Sequence, residues 1–203
     1  MLLLKMHAKQ PGFTLIELLF AIALVAVLAG IGLPNLQEFV RNSRMSAAAN
    51  DIISDFNFAR SEAVKRRVSI TLCKSQDGAA CDEDDADPFN RWIIFVDDED
   101  PAVVAATDGN GEVDGAEVIL RDRAVPDSIT VVTDADEIRA IFLPTGFPVI
   151  ETENVNRFVL CDVRGNVVSA GGDSAARAIE VLPTGRPSVF RAKATVTAFG
   201  DCP

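Results

Sequence analysis

The chain has 203 residues, 48% of them apolar and 24% charged, which excludes a disordered polymer and suits one domain with an appendage or two small domains. Its net charge of -11 argues against a general nucleic-acid coat. The charge is uneven: residues 77–137 hold 19 acidic and 3 basic side chains, whereas residues 157–203 hold 6 basic and 4 acidic, leaving room for a local basic patch near the C-terminus.

From Phe13 to Leu33 there are 21 residues, and Glu17 is the only charged one. As a helix this stretch is about 30 Å long, enough to cross the hydrocarbon core of a bilayer. Lys5 and Lys9 precede it, which favours a cytoplasmic N-terminus and export of everything after Leu33. An ordinary secretory signal is the competing reading, and Ala21-Ile22-Ala23 formally fits its cleavage rule. That site lies inside the apolar run and leaves too short a core ahead of it. Glu17 also stands where such a signal would be purely apolar. A carboxylate in hydrocarbon costs roughly a few kcal/mol, so Glu17 calls for a cationic partner or for snorkelling toward the membrane surface. Gly30, Gly32 and Pro34 weaken the helix, predicting either a kink or the end of the span.

Beyond Pro34 the helical pattern resumes. Met45, Ala48, Ile52, Phe56, Ala59 and Ala63 recur at spacings of three and four, forming one apolar stripe. Arg41, Arg44, Asp51, Asp55, Arg60 and Lys65 read as the polar positions around it, and the helix is expected to run to about Arg67. From Val68 the period drops to two, and residues 68–72 read as a half-buried strand. Further strands are expected at 91–97, 117–121, 129–133, 139–143, 157–162, 178–182 and 188–192, separated by Gly, Pro, Asp and Asn clusters. No second helix and no internal repeat is read. The fold class is therefore α+β, one long helix against one or two antiparallel sheets. In an exported chain, Cys73, Cys81, Cys161 and Cys202 read as two disulfides with three connectivities. We favour Cys73–Cys81, closing a loop between strands, and Cys161–Cys202, tying down the C-terminal end. A zinc site is the alternative, but the spacing lacks a paired C-x-x-C.

The string Gly12-Phe13-Thr14-Leu15-Ile16-Glu17-Leu18 resembles the prepilin signal of type IV pilins and type II secretion pseudopilins. The resemblance implies cleavage after Gly12, methylation of the new N-terminal Phe13, and retention of the hydrophobic helix. It also supplies a partner for Glu17, the amino group of a neighbouring subunit's Phe13, which would set register during assembly. It divides the chain into a leader (1–12), a transmembrane half-helix (13–33), an amphipathic half-helix (34–67) and a β-rich head (68–203).

Along the head, Phe58-Ala59-Arg60-Ser61-Glu62-Ala63, Trp92-Ile93-Ile94-Phe95-Val96-Asp97, Phe142-Leu143-Pro144-Thr145-Gly146, Leu160-Cys161-Asp162, Ala176-Arg177-Ala178-Ile179 and Thr184-Gly185-Arg186-Pro187 follow the order of the GspH/FimT family. That resemblance implies a type IV pilin-like fold, with the long helix packed on an antiparallel β-sandwich-like head. It implies a minor pilin near the tip of a type IV pilus, or a minor pseudopilin of type II secretion. The implied partners are other minor and major pilins, prepilin peptidase, the inner-membrane assembly platform and inner-membrane lipid. Some FimT-type members bind DNA through a C-terminal Gly-Arg-x-Arg motif. Here Gly185 and Arg186 match, but the second arginine is Ser188. Arg191 and Lys193 are expected to alternate on one strand face nearby, so a basic patch for DNA or an exposed turn with solvated charges both remain open.

No catalytic motif emerges, and no cofactor is called. The only histidine is His7, and there is no tyrosine, G-x-S-x-G or P-loop. Residues 108–115 resemble a calcium loop in composition, but Val113 and Ile119 stand where an EF-hand needs Gly and Glu, so an Asp/Gly turn is the simpler reading. The acidic run at 82–87 reads as solvated surface.

Overall fold

The computed structural model describes residues 12–82, 89–97, 111–113, 117–133, 139–149, 157–168, 172–200 and 202. It divides into two compact units, Met1–Asn42 and Ser43–Pro203. One helix, α1 (Leu15–Arg66), runs through the boundary with Pro34 inside it.

In the first unit, the described residues of α1 are exposed almost throughout. Phe13, Leu15, Phe20, Leu24, Val25 and Ile31 are all more than half exposed, and the segment is long and apolar enough to cross a membrane. In the second unit, Met45, Ala48, Ala49, Ile52, Phe56, Ala59 and Ala63 are buried, so the stripe read from their spacing is the packed face of the helix. The helix stops where Arg67 enters the left-handed region at φ 61°, its amide still donating to the Ala63 carbonyl at 2.9 Å. Lys65 and Arg66 place positive charge against the negative end of the helix dipole.

Eight strands follow: β1 (Ser69–Lys74), β2 (Arg91–Asp97), β3 (Ile119–Ala124), β4 (Ile129–Val132), β5 (Arg139–Phe142), β6 (Arg157–Asp162), β7 (Asp173–Val181) and β8 (Pro187–Ala192). They form two four-stranded sheets, ordered β3-β2-β1-β5 and β4-β6-β7-β8, with every pairing antiparallel. The α+β class is thus correct, with two sheets. The helix stripe, one face of β1, β2 and β5, and one face of β4, β6 and β7 share a single core. Phe56 sits at its centre. Its ring lies 6.2 Å from Phe142 of the first sheet and 5.2 Å from Phe158 of the second, so one helical residue touches both layers.

Four expectations need correcting. β1 is buried along its whole length, not half-buried, because its second face is covered as well: Cys73, Ile93 and Phe95 form a satellite cluster under Cys81, Val113 and Ile119. β3 begins at Ile119, two residues later than expected, and ends at Ala124. β7 begins at Asp173, five residues earlier than its expected start at Ala178. Its Ser-Ala-Ala segment is buried throughout and carries no alternation to read. A second helix exists, α2 (Lys193–Phe199), despite the β-branched run Thr195-Val196-Thr197. Tertiary packing overrides that propensity. Val196 and Phe199, three apart on one helical face, bury against Val159, Cys161, Ala176 and Ala178 of the second sheet.

Candidate functional site

The candidate assembly motif stands at the start of α1. Gly12 and Phe13 precede the helix, and Phe13 is 86% exposed. The Thr14 hydroxyl accepts a hydrogen bond from the Glu17 amide at 3.3 Å. Thr14-Leu15-Ile16-Glu17 has the spacing of a capping box, in which the hydroxyl satisfies one of the unpaired amides of the first turn. Glu17 lies in that first turn, where the dipole favours an acid. It therefore has a local helix-starting context as well as the intersubunit one the motif implies. Gly30, Gly32 and Pro34 all lie within helical backbone. Pro34 has no amide to give the Gly30 carbonyl, and one residue on, the Asn35 side chain donates to the Ile31 carbonyl at 3.0 Å.

In the head, the residue most worth notice is Asp55. The sequence pattern puts it among the polar positions around the stripe, yet it is fully buried. Trp92 Nε1 donates to one carboxylate oxygen at 2.9 Å and Arg121 Nη1 to the other at 2.7 Å, with Arg123 Nε at 3.7 Å. The Arg121 guanidinium also lies 3.5 Å from the centroid of the Phe58 ring. A buried acid ringed by two arginines and an indole ties α1 to β2 and β3. Its position between Ile52 and Phe56 on the buried side of the helix was the available signal.

Both disulfides are present, Cys73–Cys81 and Cys161–Cys202. The first closes a loop in which the Asp77 carboxylate accepts from the amides of Ala79 and Ala80, at 2.7 and 3.1 Å. Those bonds hold its pKa below the ordinary carboxylate range. The second brings residue 202 onto β6, beside α2. On the strand edge, Asp122 is held below its ordinary pKa by its hydrogen-bonded pairing with Arg91. Arg177, almost fully buried, has its pKa lowered by desolvation. One of its nitrogens donates to the carbonyls of Ser174, Ala175 and Ala176 at 2.9–3.0 Å, satisfying the bulged start of β7.

The three candidate DNA-binding residues fall on three different elements. Arg186 lies in the turn before β8, and Arg191 near that strand's far end. Lys193 is the first residue of α2, so the expected alternation of Arg191 and Lys193 on one strand face is wrong: the chain turns helical between them. Arg191 is paired with Asp173 at 3.5 Å. The acidic run at 82–87 and the calcium-like stretch at 108–115 fall almost wholly outside the described residues. Of them, Asp82 pairs with Lys74, and Gly111 donates its amide to the buried Asp97 at 3.0 Å. Among the described residues, no group of three or more His, Cys, Asp and Glu side chains is placed to hold a metal.

An exposed membrane-length helix, continued into a stripe that carries a two-sheet head, narrows the comparison with known proteins. The profile of the type II transport protein GspH matches residues 48–185, about two thirds of the 203. The chain belongs to the GspH family. A second profile, the prokaryotic N-terminal methylation motif, matches residues 7–33. The GspH family is one of structural pilin and pseudopilin subunits and not of enzymes.

This GspH-family chain is 37% identical over 76 residues to prepilin peptidase-dependent protein D of Escherichia coli strain K12, a match covering 36% of this chain and 44% of that one. It is 23% identical over 152 residues to the type IV major alpha-pilin of Moraxella bovis, covering 68% and 96%. The chain spans less than half the length of the curated relatives it matches at higher identity. The crystal structure of the type IV minor pilin FimU from Pseudomonas aeruginosa superposes with a TM-score of 0.45 at 17% identity, over 75% of this chain and 92% of that chain.

Proposed function

We propose that this chain is a minor pilin that primes assembly of a type IV pilus and stays at or near its tip. One observation carries the reading: Gly12-Phe13-Thr14-Leu15-Ile16-Glu17 opens an exposed apolar helix long enough to cross a membrane. In this reading residues 1–12 are a leader removed after Gly12. Residues 13–33 cross the inner membrane from a cytoplasmic N-terminus, residues 34–67 continue the helix, and 68–203 form a periplasmic head. Prepilin peptidase, the inner-membrane assembly platform and membrane lipid are then successive partners before the helix enters the bundle of other pilins. Gly30, Gly32 and Pro34 give that helix a place to bend on entry.

Glu17 tests the mechanism. Glu17→Ala is expected to insert and be processed, yet to fall in sheared pili to a tenth or less of its membrane abundance. Glu17→Gln keeps the side chain's length and polarity without its charge, and should fail to the same degree if the acid pairs with a Phe13 amino group. Wild-type incorporation of both variants would remove Glu17 from assembly and leave it the local role beside Thr14.

The name of the matching profile favours a second reading, a minor pseudopilin of type II secretion built on the same chemistry. Deletion separates them: loss of twitching motility supports the pilus, and loss of exoprotein secretion supports the secretion system. A DNA-uptake role draws less support, since Ser188 replaces the motif's second arginine and Arg191 is paired with Asp173. Salt-sensitive DNA binding by the full chain, abolished by Arg186→Ala, would reinstate it.

A further inference from the structure

The tetrapeptide Leu-Pro-Thr-Gly occurs twice, at 143–146 and 182–185. Arg-Ala-Ile precedes each copy, at 139–141 and 177–179, and a proline follows, Pro148 or Pro187. One copy follows β5 in the first sheet; the other joins β7 to β8 in the second. Their hydrogen bonds correspond. The Gly146 amide donates to the Leu143 carbonyl at 2.7 Å, and the Gly185 amide to the Leu182 carbonyl at 2.7 Å. The Leu143 amide donates to the Phe147 carbonyl at 2.9 Å, and the Leu182 amide to the Arg186 carbonyl at 3.0 Å. Both glycines are left-handed, at φ 79° and 74°. Each turn is thus a Pro-led β-turn closed by a left-handed glycine, a three-residue hairpin loop. The residue before each leucine, Phe142 or Val181, points into the shared core.

The two turns meet on α1. Arg60 Nε donates to the Gly146 carbonyl at 3.0 Å. A Cβ on Gly185 would stand 2.8 Å from that same carbonyl oxygen and 3.3 Å from Arg60 Cδ and Nε. A Cβ on Gly146 would stand 2.8 Å from Val64. One backbone oxygen is therefore the meeting point of the helix and of one hairpin from each sheet, with no space for a larger residue at either glycine.

We propose that the duplicated turns form a clasp on α1, and that Arg60 is a positioning residue which couples the two sheets to the last turns of the helix for subunit assembly. The coupling is independent of the assembly reading; its use in assembly rests on that reading. Loss of the Arg60 guanidinium removes the bond to Gly146 and the packing against Gly185 together, so both turns should open together although they belong to different sheets.

The test uses the full chain in detergent, with amide hydrogen exchange of the two turns compared with that of Ile94 in the core. Arg60→Ala and Gly185→Ala are each expected to speed exchange at Gly146 and at residue 185 by tenfold or more, leaving Ile94 unchanged. Arg60→Lys, which keeps one donor, should restore most of the protection. Faster exchange in the 143–146 turn alone would overturn the clasp. Incorporation into sheared pili, measured per membrane-inserted copy, supplies the second readout. Phe56→Leu, which loosens the core without touching the clasp, is the control. Arg60→Ala is expected to fall at least fivefold below that control. Parity with the control overturns the assembly role of Arg60. The assembly reading as a whole would fall separately, through the Glu17 variants.

Discussion

The two units of the chain are specified in opposite ways. Residues 12–42 bury almost nothing, and their information lies in which residue stands where: Gly12, Phe13, Glu17 and an apolar run that nothing interrupts. Residues 43–203 are specified by packing, with Phe56 between Phe142 and Phe158 and an acid sealed beneath two arginines. A motif of the first kind can be read letter by letter, because each letter acts alone. Packing cannot be read that way, since the meaning of Asp55 depends on Trp92, Arg121 and Arg123, which lie 37 to 68 positions away.

The contrast breaks first at Phe56. Phe56→Ala removes a buried side chain that touches both sheets and should destabilise the head by about 3–5 kcal/mol in urea titration of the full chain. Val25→Ala, in the exposed half of the same helix, should leave that transition unchanged within roughly 0.5 kcal/mol. Equal effects would mean that the two units unfold together.

The disulfides sharpen the comparison within the head. Cys161–Cys202 closes 41 residues and Cys73–Cys81 only 8. Chain entropy then predicts losses of about 4 and about 2.5 kcal/mol when each pair is replaced by serines. The reverse order would show that the small loop, which also covers the outer face of β1, contributes more through packing than through closure.

The smallest effect is expected at the helix end. Glu62 is held below its ordinary pKa of 4.5 by hydrogen bonds from Arg66 and Lys65, at 2.6 and 2.9 Å. A carboxyl with a lowered folded-state pKa stabilises above its unfolded value, and that contribution disappears as pH falls through the folded value. Glu62→Gln should therefore melt slightly below the parent at pH 7, with the gap closing below pH 4.5. A gap that persists at pH 2–3 would assign the effect to packing.

The legible part of this molecule is its periodicity. Spacings of three and four fixed the buried face from Met45 to Ala63, and apolar runs bounded by turn residues located β2 and β6 at their observed limits. The illegible part needs knowledge of what lies across the fold. β1 alternates in sequence yet is buried on both faces, because the Cys73–Cys81 loop and Val113 cover the side expected to face water. No second helix was legible because Thr195-Val196-Thr197 is a β-branched run, yet it is helical, with Val196 and Phe199 buried against the second sheet. The Arg60 junction was within reach, since the repeated Leu-Pro-Thr-Gly stands in plain view. Only the fold, however, brings residues 60, 146 and 185 to a single oxygen.

The bond between Cys161 and Cys202 has a consequence for damage. It makes a covalent ring of residues 161–202, which include β7, β8 and α2. A protease that cuts once inside that ring releases nothing: the piece beyond the cut stays tied to the rest of the chain through the Cys161–Cys202 sulfurs. The chain would keep β7, β8 and α2 through a single cut, and the injury would show only under reducing conditions, as a second band.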